Sequence, residues 1–212
     1  YLDAAGMRQE VARVRELPEA PFGVNVFLRD RADSEAALAA AGGAEAVARY
    51  AEAIRPVAER LGIDLAGDPQ FTDFDQAATL SSLVEDPVAG VSFTFGIPDE
   101  DVVRSLQRAG SAVVVTVAGV DDARRAVEVG ADWLSVQSAE AGGHRSTTTV
   151  GERPDDISTV DLVRAVRREL PEVRMVAAGG IATPEDAAAA LDAGADGIQL
   201  GTVLLRTPEA GT

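Results

Sequence analysis

Ala112-Val113-Val114-Val115-Thr116-Val117 is a continuous run of apolar and β-branched residues without polar alternation. A strand with one solvated face alternates. An unbroken run marks a strand covered on both faces, as in a parallel sheet. The residues after it supply the cover. Asp121 to Val129 reads as a helix, Gly130 ends it, and Trp133-Leu134-Ser135-Val136 opens a second apolar run. The unit then recurs. Asp122-Ala123-Arg124-Arg125-Ala126-Val127-Glu128-Val129-Gly130-Ala131-Asp132 matches Asp186-Ala187-Ala188-Ala189-Ala190-Leu191-Asp192-Ala193-Gly194-Ala195-Asp196 without a gap. Each copy is a helix, a glycine stop and the approach to the next strand.

Helix and strand patterns alternate along the rest of the chain, which argues parallel strands joined by crossover helices. Met7, Val11, Val14 and Leu17 place a helix within residues 1–20, ended by Pro18 and Pro21. Pro21 to Leu28 is a strand with an unusual polar member, Asn25, and Arg29 to Gly43 reads as an irregular connection. Ala44 to Leu61 carries Val47, Tyr50, Ala51, Ile54, Val57, Ala58 and Leu61 on one helical face, with Pro56 expected to kink or break it. Asp73 to Val84 is a shorter helix, Val88 to Phe95 a strand, and Pro98 opens a helix that runs to Ala109. Ser158 to Leu170 is a helix and Arg174 to Ala178 a strand. Thr183-Pro184-Glu185-Asp186 is a helix entry, and Gly197 to Thr202 is the last strand and its exit. Recurrent βα units of this kind suit a (β/α)8 TIM barrel better than an open sheet. Six strands can be read where the closed barrel has eight. The reading therefore expects a single barrel domain over residues 1–212, incomplete at the N-terminus by its first two βα units and incomplete also at the C-terminus.

Composition excludes several chemistries. The chain has no cysteine and no lysine; its 19 basic residues are all arginine, set against 35 carboxylates, for a formal net charge of −16. Thiolate metal sites and cysteine nucleophiles are excluded. So are Schiff-base enzymes and a lysine-bound pyridoxal cofactor. No metal site is expected. An acidic surface repels nucleic acid and anionic membranes, and no apolar run approaches the ~20 residues of a membrane span. Cytoplasm is the expected compartment.

Three glycine-rich segments follow strands: Ala141-Gly142-Gly143-His144, Gly179-Gly180-Ile181 and Gln199-Leu200-Gly201-Thr202. In a barrel, all such exits share one mouth. The last two follow the final two strands, the usual place of a barrel's phosphate site. Glycine lets an oxyanion approach backbone N–H groups, and Thr202 adds a hydroxyl at a turn that can present a helix N-terminus. His144 is the only histidine, and its side chain can exchange a proton near pH 7. The plainer reading of these residues is tight turns and a solvated loop histidine.

Phe22-Gly23-Val24-Asn25, Val91-Ser92-Phe93-Thr94-Phe95-Gly96, Gln137 through His144-Arg145, Ala178-Gly179-Gly180-Ile181 and Gln199-Leu200-Gly201-Thr202 stand in an order that resembles the nitronate monooxygenases, formerly called 2-nitropropane dioxygenases. The resemblance covers nearly all of the chain, and Glu-Ala-Gly-Gly-His-Arg is its most specific part. It implies an FMN-dependent barrel that oxidises alkyl nitronates with O2 to a carbonyl compound and nitrite. It assigns His144 as the catalytic residue, orienting the nitro oxygens or taking the α-proton of a neutral nitroalkane. It gives Asn25, Gln137 and Gly142 contacts to the flavin, and gives Gly179, Gly180, Gln199, Leu200, Gly201 and Thr202 the ring edge and phosphate. The implied partners are a small nitronate or nitroalkane and O2, with no nucleic acid or membrane; homo-oligomerisation is left open. Glu140 reads as a loop-fixing carboxylate. Arg145 reads either as a nitro-binding cation or as a surface arginine in ion pairs.

The chain departs from the family pattern where Ser138 and Ser146 replace glycines, and the family's opening Gln-Ala-Pro-Met strand has no match. A flavin-dependent enoyl-thioester reductase shares the Glu-Ala-Gly-Gly-His run and is the alternative activity. An IMP-dehydrogenase-like barrel needs a cysteine that is absent. The non-enzymatic alternative is a truncated barrel that binds no flavin.

Overall fold

Six strands form one sheet: β1 (Gly23–Phe27), β2 (Gly90–Thr94), β3 (Ala112–Val117), β4 (Trp133–Gln137), β5 (Met175–Ala178) and β6 (Gly197–Gln199). The structure, a computed structural model, describes residues 2–17, 20–28, 31–65, 74–149 and 155–210. Every strand pair is parallel, and the order in the sheet is the order in the sequence. A doubly wound sheet reverses its order at a switch point. Here each crossover advances by one strand in the same direction, which is barrel winding. The helices are α1 (Ala4–Arg15), α2 (Arg31–Ala40), α3 (Gly43–Leu61), α4 (Gln76–Glu85), α5 (Glu100–Ala109), α6 (Val120–Glu128), α7 (Thr159–Glu169) and α8 (Pro184–Asp192).

The chain divides into two compact units. Tyr1–Leu28 with Phe74–Thr212 holds all six strands, and Arg29–Asp73 holds α2 and α3. The second unit corrects one expectation: residues 31–40 are helical, not irregular. Half of α2 is alanine, the best helix former, but it has no apolar stripe, so periodicity does not register it. α3 forms over the expected span and continues through Pro56. Its apolar residues are not all buried, however: Tyr50 and Leu61 are 67% and 63% exposed. Pro18, expected to help end the first helix, residues 29, 30 and 73, at the edges of two expected elements, and residues 150–154 lie outside the described residues.

In the first unit, alternate strand residues turn toward the helices. Val91, Phe93, Val113, Val115, Val117, Leu134, Val136, Met175 and Ala177 are wholly buried there. They pack with α6, α7 and α8 on one side and with α1, α4 and α5 on the other. The opposite sheet face is more polar, and its side chains bond across strands. Ser92 Oγ and Thr94 Oγ1 both donate to Asn25 Oδ1, and Ser135 Oγ donates to Gln199 Oε1.

The internal repeat has a structural meaning. Asp132 Oδ2 accepts the Val113 N–H at 2.8 Å and Gln107 Nε2 at 3.1 Å, while Gln107 Nε2 also donates to Gly130 O. In the second copy, Asp196 Oδ2 accepts the Met175 N–H and Arg167 Nη2, both at 2.9 Å, while Arg167 Nε donates to Gly194 O. The same clasp is built twice. It fixes each helix-to-strand turn to the start of the preceding strand, at the end of the sheet remote from the glycine-rich exits.

Candidate active site

Gln137 is the last residue of β4, and its amide organises the loop that follows. Nε2 donates to His144 O at 3.1 Å and Oε1 accepts the Ser146 N–H at 2.6 Å. Ser146 is fully buried; its hydroxyl accepts the Phe95 N–H and donates to Thr116 O. Arg145 Nη2 donates to Ala118 O and to Asp155 Oδ1. The histidine loop is therefore laced to the exits of β2, β3 and β4. The ion pair expected of a surface Arg145 is present, to Asp155, but the side chain is only 13% exposed, and its Nε and Nη1 are buried without a partner among the described residues.

His144 is exposed, with its ring set edge-on against Phe95, centroids 6.2 Å apart. Phe95 in turn packs on Phe27 at 5.1 Å. Phe95 adopts φ +69°, a left-handed conformation that a bulky residue rarely takes. Its N–H bond to Ser146 and the two ring contacts hold it there, a role the sequence reading missed.

A second set of bonds joins the histidine loop to the turn after β5. The Glu140 N–H donates to Ser138 Oγ, Ser138 Oγ meets Thr159 Oγ1 at 2.6 Å, and Thr159 Oγ1 donates to Gly179 O at 2.8 Å. Thr159 has one hydroxyl proton and gives it to Gly179, so Ser138 is the donor between the two hydroxyls. The Glu140 carboxylate accepts the Thr159 N–H at the start of α7, where the helix dipole favours an anion. Glu140 is thus a loop-fixing carboxylate, as expected. Ser138 and Ser146, the two departures from glycine, are both fully buried and fully bonded.

Gly179 and Gly180 have φ of +117° and +66°, so two consecutive residues lie in the region glycine favours. The three exits also touch. A Cβ on Gly180 would stand 2.8 Å from Glu140 Cβ, and one on Gly142 would stand 2.6 Å from Thr202 Oγ1. The exits enclose a cavity of about 480 Å³, lined by Gln137, Gly142, Gly179, Gly180, Gln199, Gly201 and Thr202 among others. Known small-molecule sites span roughly 300–1,000 Å³. Leu200, His144 and Asn25 do not line it; His144 follows directly on Gly143, which does, and Asn25 Oδ1 is engaged by Ser92 and Thr94. Arg206 lines the cavity and was not singled out from sequence. The turn after β6 is a 3-10 helix, Thr202–Arg206, so Thr202 stands at its start as anticipated. Among the described residues no cluster of three or more His, Cys, Asp or Glu could hold a metal, and no helix is long and apolar enough to cross a membrane.

Parallel strands wound in sequence order, with their carboxyl-end exits closing on one cavity, define a TIM-barrel protein with a cavity at its mouth. A family model described as nitronate monooxygenase matches residues 1–212. The chain belongs to the nitronate monooxygenase family. It is 32% identical over 208 residues to a nitronate monooxygenase of Pseudomonas aeruginosa, covering 96% of this chain and 56% of that protein. It is 30% identical over 211 residues to one of Paraburkholderia phytofirmans, covering 98% and 55%. The crystal structure of nitroalkane oxidase from Streptomyces ansochromogenes superposes with a TM-score of 0.81 at 36% identity, over 98% of this chain and 57% of that one. FabK from Thermotoga maritima, with its M276A substitution, gives 0.68 at 25% identity over 98% and 52%. The chain thus spans little more than half the length of these relatives.

Proposed function

We propose that the protein containing this chain uses FMN and O2 to oxidise alkyl nitronates to a carbonyl compound and nitrite. The observation that carries this reading is the closure of three glycine-rich exits on one cavity, with Gly179 and Gly180 both left-handed beside Gly201 and Thr202. The residues fit the phosphate end of a flavin mononucleotide. The N–H groups of Gly180, Gly201 and Thr202 make no hydrogen bond among the described residues. A Cβ on Gly201 would meet nothing within 4 Å, so that backbone is open to a ligand. The similarity to nitronate monooxygenases and to nitroalkane oxidase supports the substrate class.

When bound, FMN supplies the electron acceptor that passes electrons on to O2. The chain supplies position. Gly179, Gly180, Gly201 and Thr202 would hold the phosphate, and Gln199 and Gly142 would lie toward the ring, while Leu200 lies outside the cavity's lining and makes no contact. Gln137 faces the cavity and fixes the histidine loop, and Asn25 offers its Nδ2 to the flavin. His144 takes the α-proton of a neutral nitroalkane or orients the nitro oxygens of a nitronate. Gln137 holds the His144 backbone and Phe95 braces the ring edge, so the imidazole need not be ordered at the moment of reaction.

The test is a pair of assays on the FMN-loaded protein. Nitrite release from an alkyl nitronate in air is the expected result. Rapid NADH consumption with an enoyl thioester and no nitrite would instead assign the reductase activity. Colourless protein that rejects added FMN would assign the non-catalytic barrel.

A further inference from the structure

We infer that Arg206 is the counter-ion that makes this cavity select a flavin ending in a phosphomonoester over one ending in a hydroxyl. The inference rests on the flavin reading above. Among the described residues lining the cavity, Arg206 is the only cation and Glu140 the only carboxylate. The Glu140 carboxylate is already engaged, its Oε2 accepting the Thr159 N–H at 2.8 Å at the start of α7. Several arginines pair with carboxylates, among them Arg124 with Glu169, Arg145 with Asp155 and Arg167 with Asp196, whereas Arg49, Arg60 and Arg168 pair with none among the described residues but lie away from the cavity. Arg206 makes no ion pair or hydrogen bond among the described residues, in a chain with 35 carboxylates. It closes the 3-10 turn that Thr202 opens, so the cation and the free Gly201 and Thr202 N–H groups belong to one short segment.

Charge gives this placement its consequence. A phosphomonoester carries roughly −1.5 to −2 at neutral pH. A chain of net charge −16 repels it. Backbone N–H groups and the Thr202 hydroxyl provide geometry but only partial charges. A guanidinium in the same cavity adds a charge-assisted contact at the one place where the field must be reversed. Riboflavin, with a terminal hydroxyl, gains nothing from that charge.

The experiment titrates FMN and riboflavin separately into flavin-free protein, following flavin fluorescence, for the unaltered chain, Arg206→Gln and Arg206→Lys. Arg206→Gln is expected to raise the FMN Kd roughly tenfold, the scale of one hydrogen bond to a charged group, and to leave the riboflavin Kd unchanged. Arg206→Lys keeps most of the preference for FMN. Added salt narrows the gap between the unaltered chain and Arg206→Gln. An unchanged FMN Kd in Arg206→Gln, or an equal loss for both flavins, overturns the inference and leaves the flavin reading standing. Failure of the unaltered protein to bind either flavin overturns both.

Discussion

Ser138 and Thr159 share a hydroxyl–hydroxyl hydrogen bond of 2.6 Å in a place solvent hardly reaches, their exposures being 0% and 4%. The bond is the middle of a directed chain from the Glu140 N–H to the Gly179 carbonyl. It couples the loop that carries His144 to the turn proposed to hold phosphate. Removing one hydroxyl leaves buried partners unpaired, at about 1–3 kcal/mol. Ser138→Ala and Thr159→Val should each lower the unfolding free energy by that amount, read from denaturant titration, and weaken FMN binding. A variant with native stability and native flavin affinity would show that the two loops are held independently.

Gly180 and Gly143 make a contrasting pair. Gly180 is left-handed and a Cβ there would meet Glu140 Cβ, whereas a Cβ on Gly143 would meet nothing within 4 Å. Gly180→Ala should destabilise the fold by about 1–2 kcal/mol from backbone strain alone and sharply weaken flavin binding. Gly143→Ala should leave thermal stability near that of the unaltered chain. Equal melting temperatures for the two variants would remove the steric argument for the cradle.

The clasps at the other end of the sheet should affect stability without affecting the mouth. Asp196→Ala deprives the Met175 N–H, at a fully buried residue, of its acceptor and releases Arg167. A loss of about 1–3 kcal/mol is expected, with FMN affinity in the folded protein unchanged. Asp132→Ala should behave alike through Val113 and Gln107. A large change in flavin affinity from either would mean that the two ends of the strands are coupled.

Acid should loosen the entry to α8. The Ala182 N–H, then the Thr183 hydroxyl and N–H, hold the Asp186 carboxyl below its ordinary range. Its contribution is complete above the unfolded value of about 3.9 and is lost as pH falls through the depressed folded value. The stability difference between the unaltered chain and Asp186→Asn should therefore be constant near neutrality and shrink in strong acid. A difference that grows on acidification would have the wrong sign.

Much of the first unit was legible because its signals are local. The Ala112–Val117 run and the repeated helix–glycine–aspartate unit led to parallel strands in sequence order, and the Thr183-Pro184 entry forms its full capping box. Helix α2 escaped because alanine gives propensity without periodicity. In the candidate site, the glycine pairs Gly142-Gly143 and Gly179-Gly180 each follow an apolar strand run, so the cavity's lining was largely readable. Its bracing was not. That Gln137 spends its amide on His144 and Ser146, or that Ser146 supports a left-handed Phe95, depends on residues brought together across loops. Ser138 and Ser146 stood out in the sequence as departures from glycine, but only the three-dimensional neighbours give them a purpose. Arg206 carried no local signal at all.

The central claim, that an imidazole works beside a flavin held at this mouth, is tested most directly by nitrite release from a neutral nitroalkane in the FMN-loaded protein and its His144→Ala variant. The expected result is retained flavin absorbance with turnover lowered roughly 10²–10⁴-fold, the scale of a lost general base. Flavin-loaded His144→Ala that releases nitrite at the unaltered rate would contradict it.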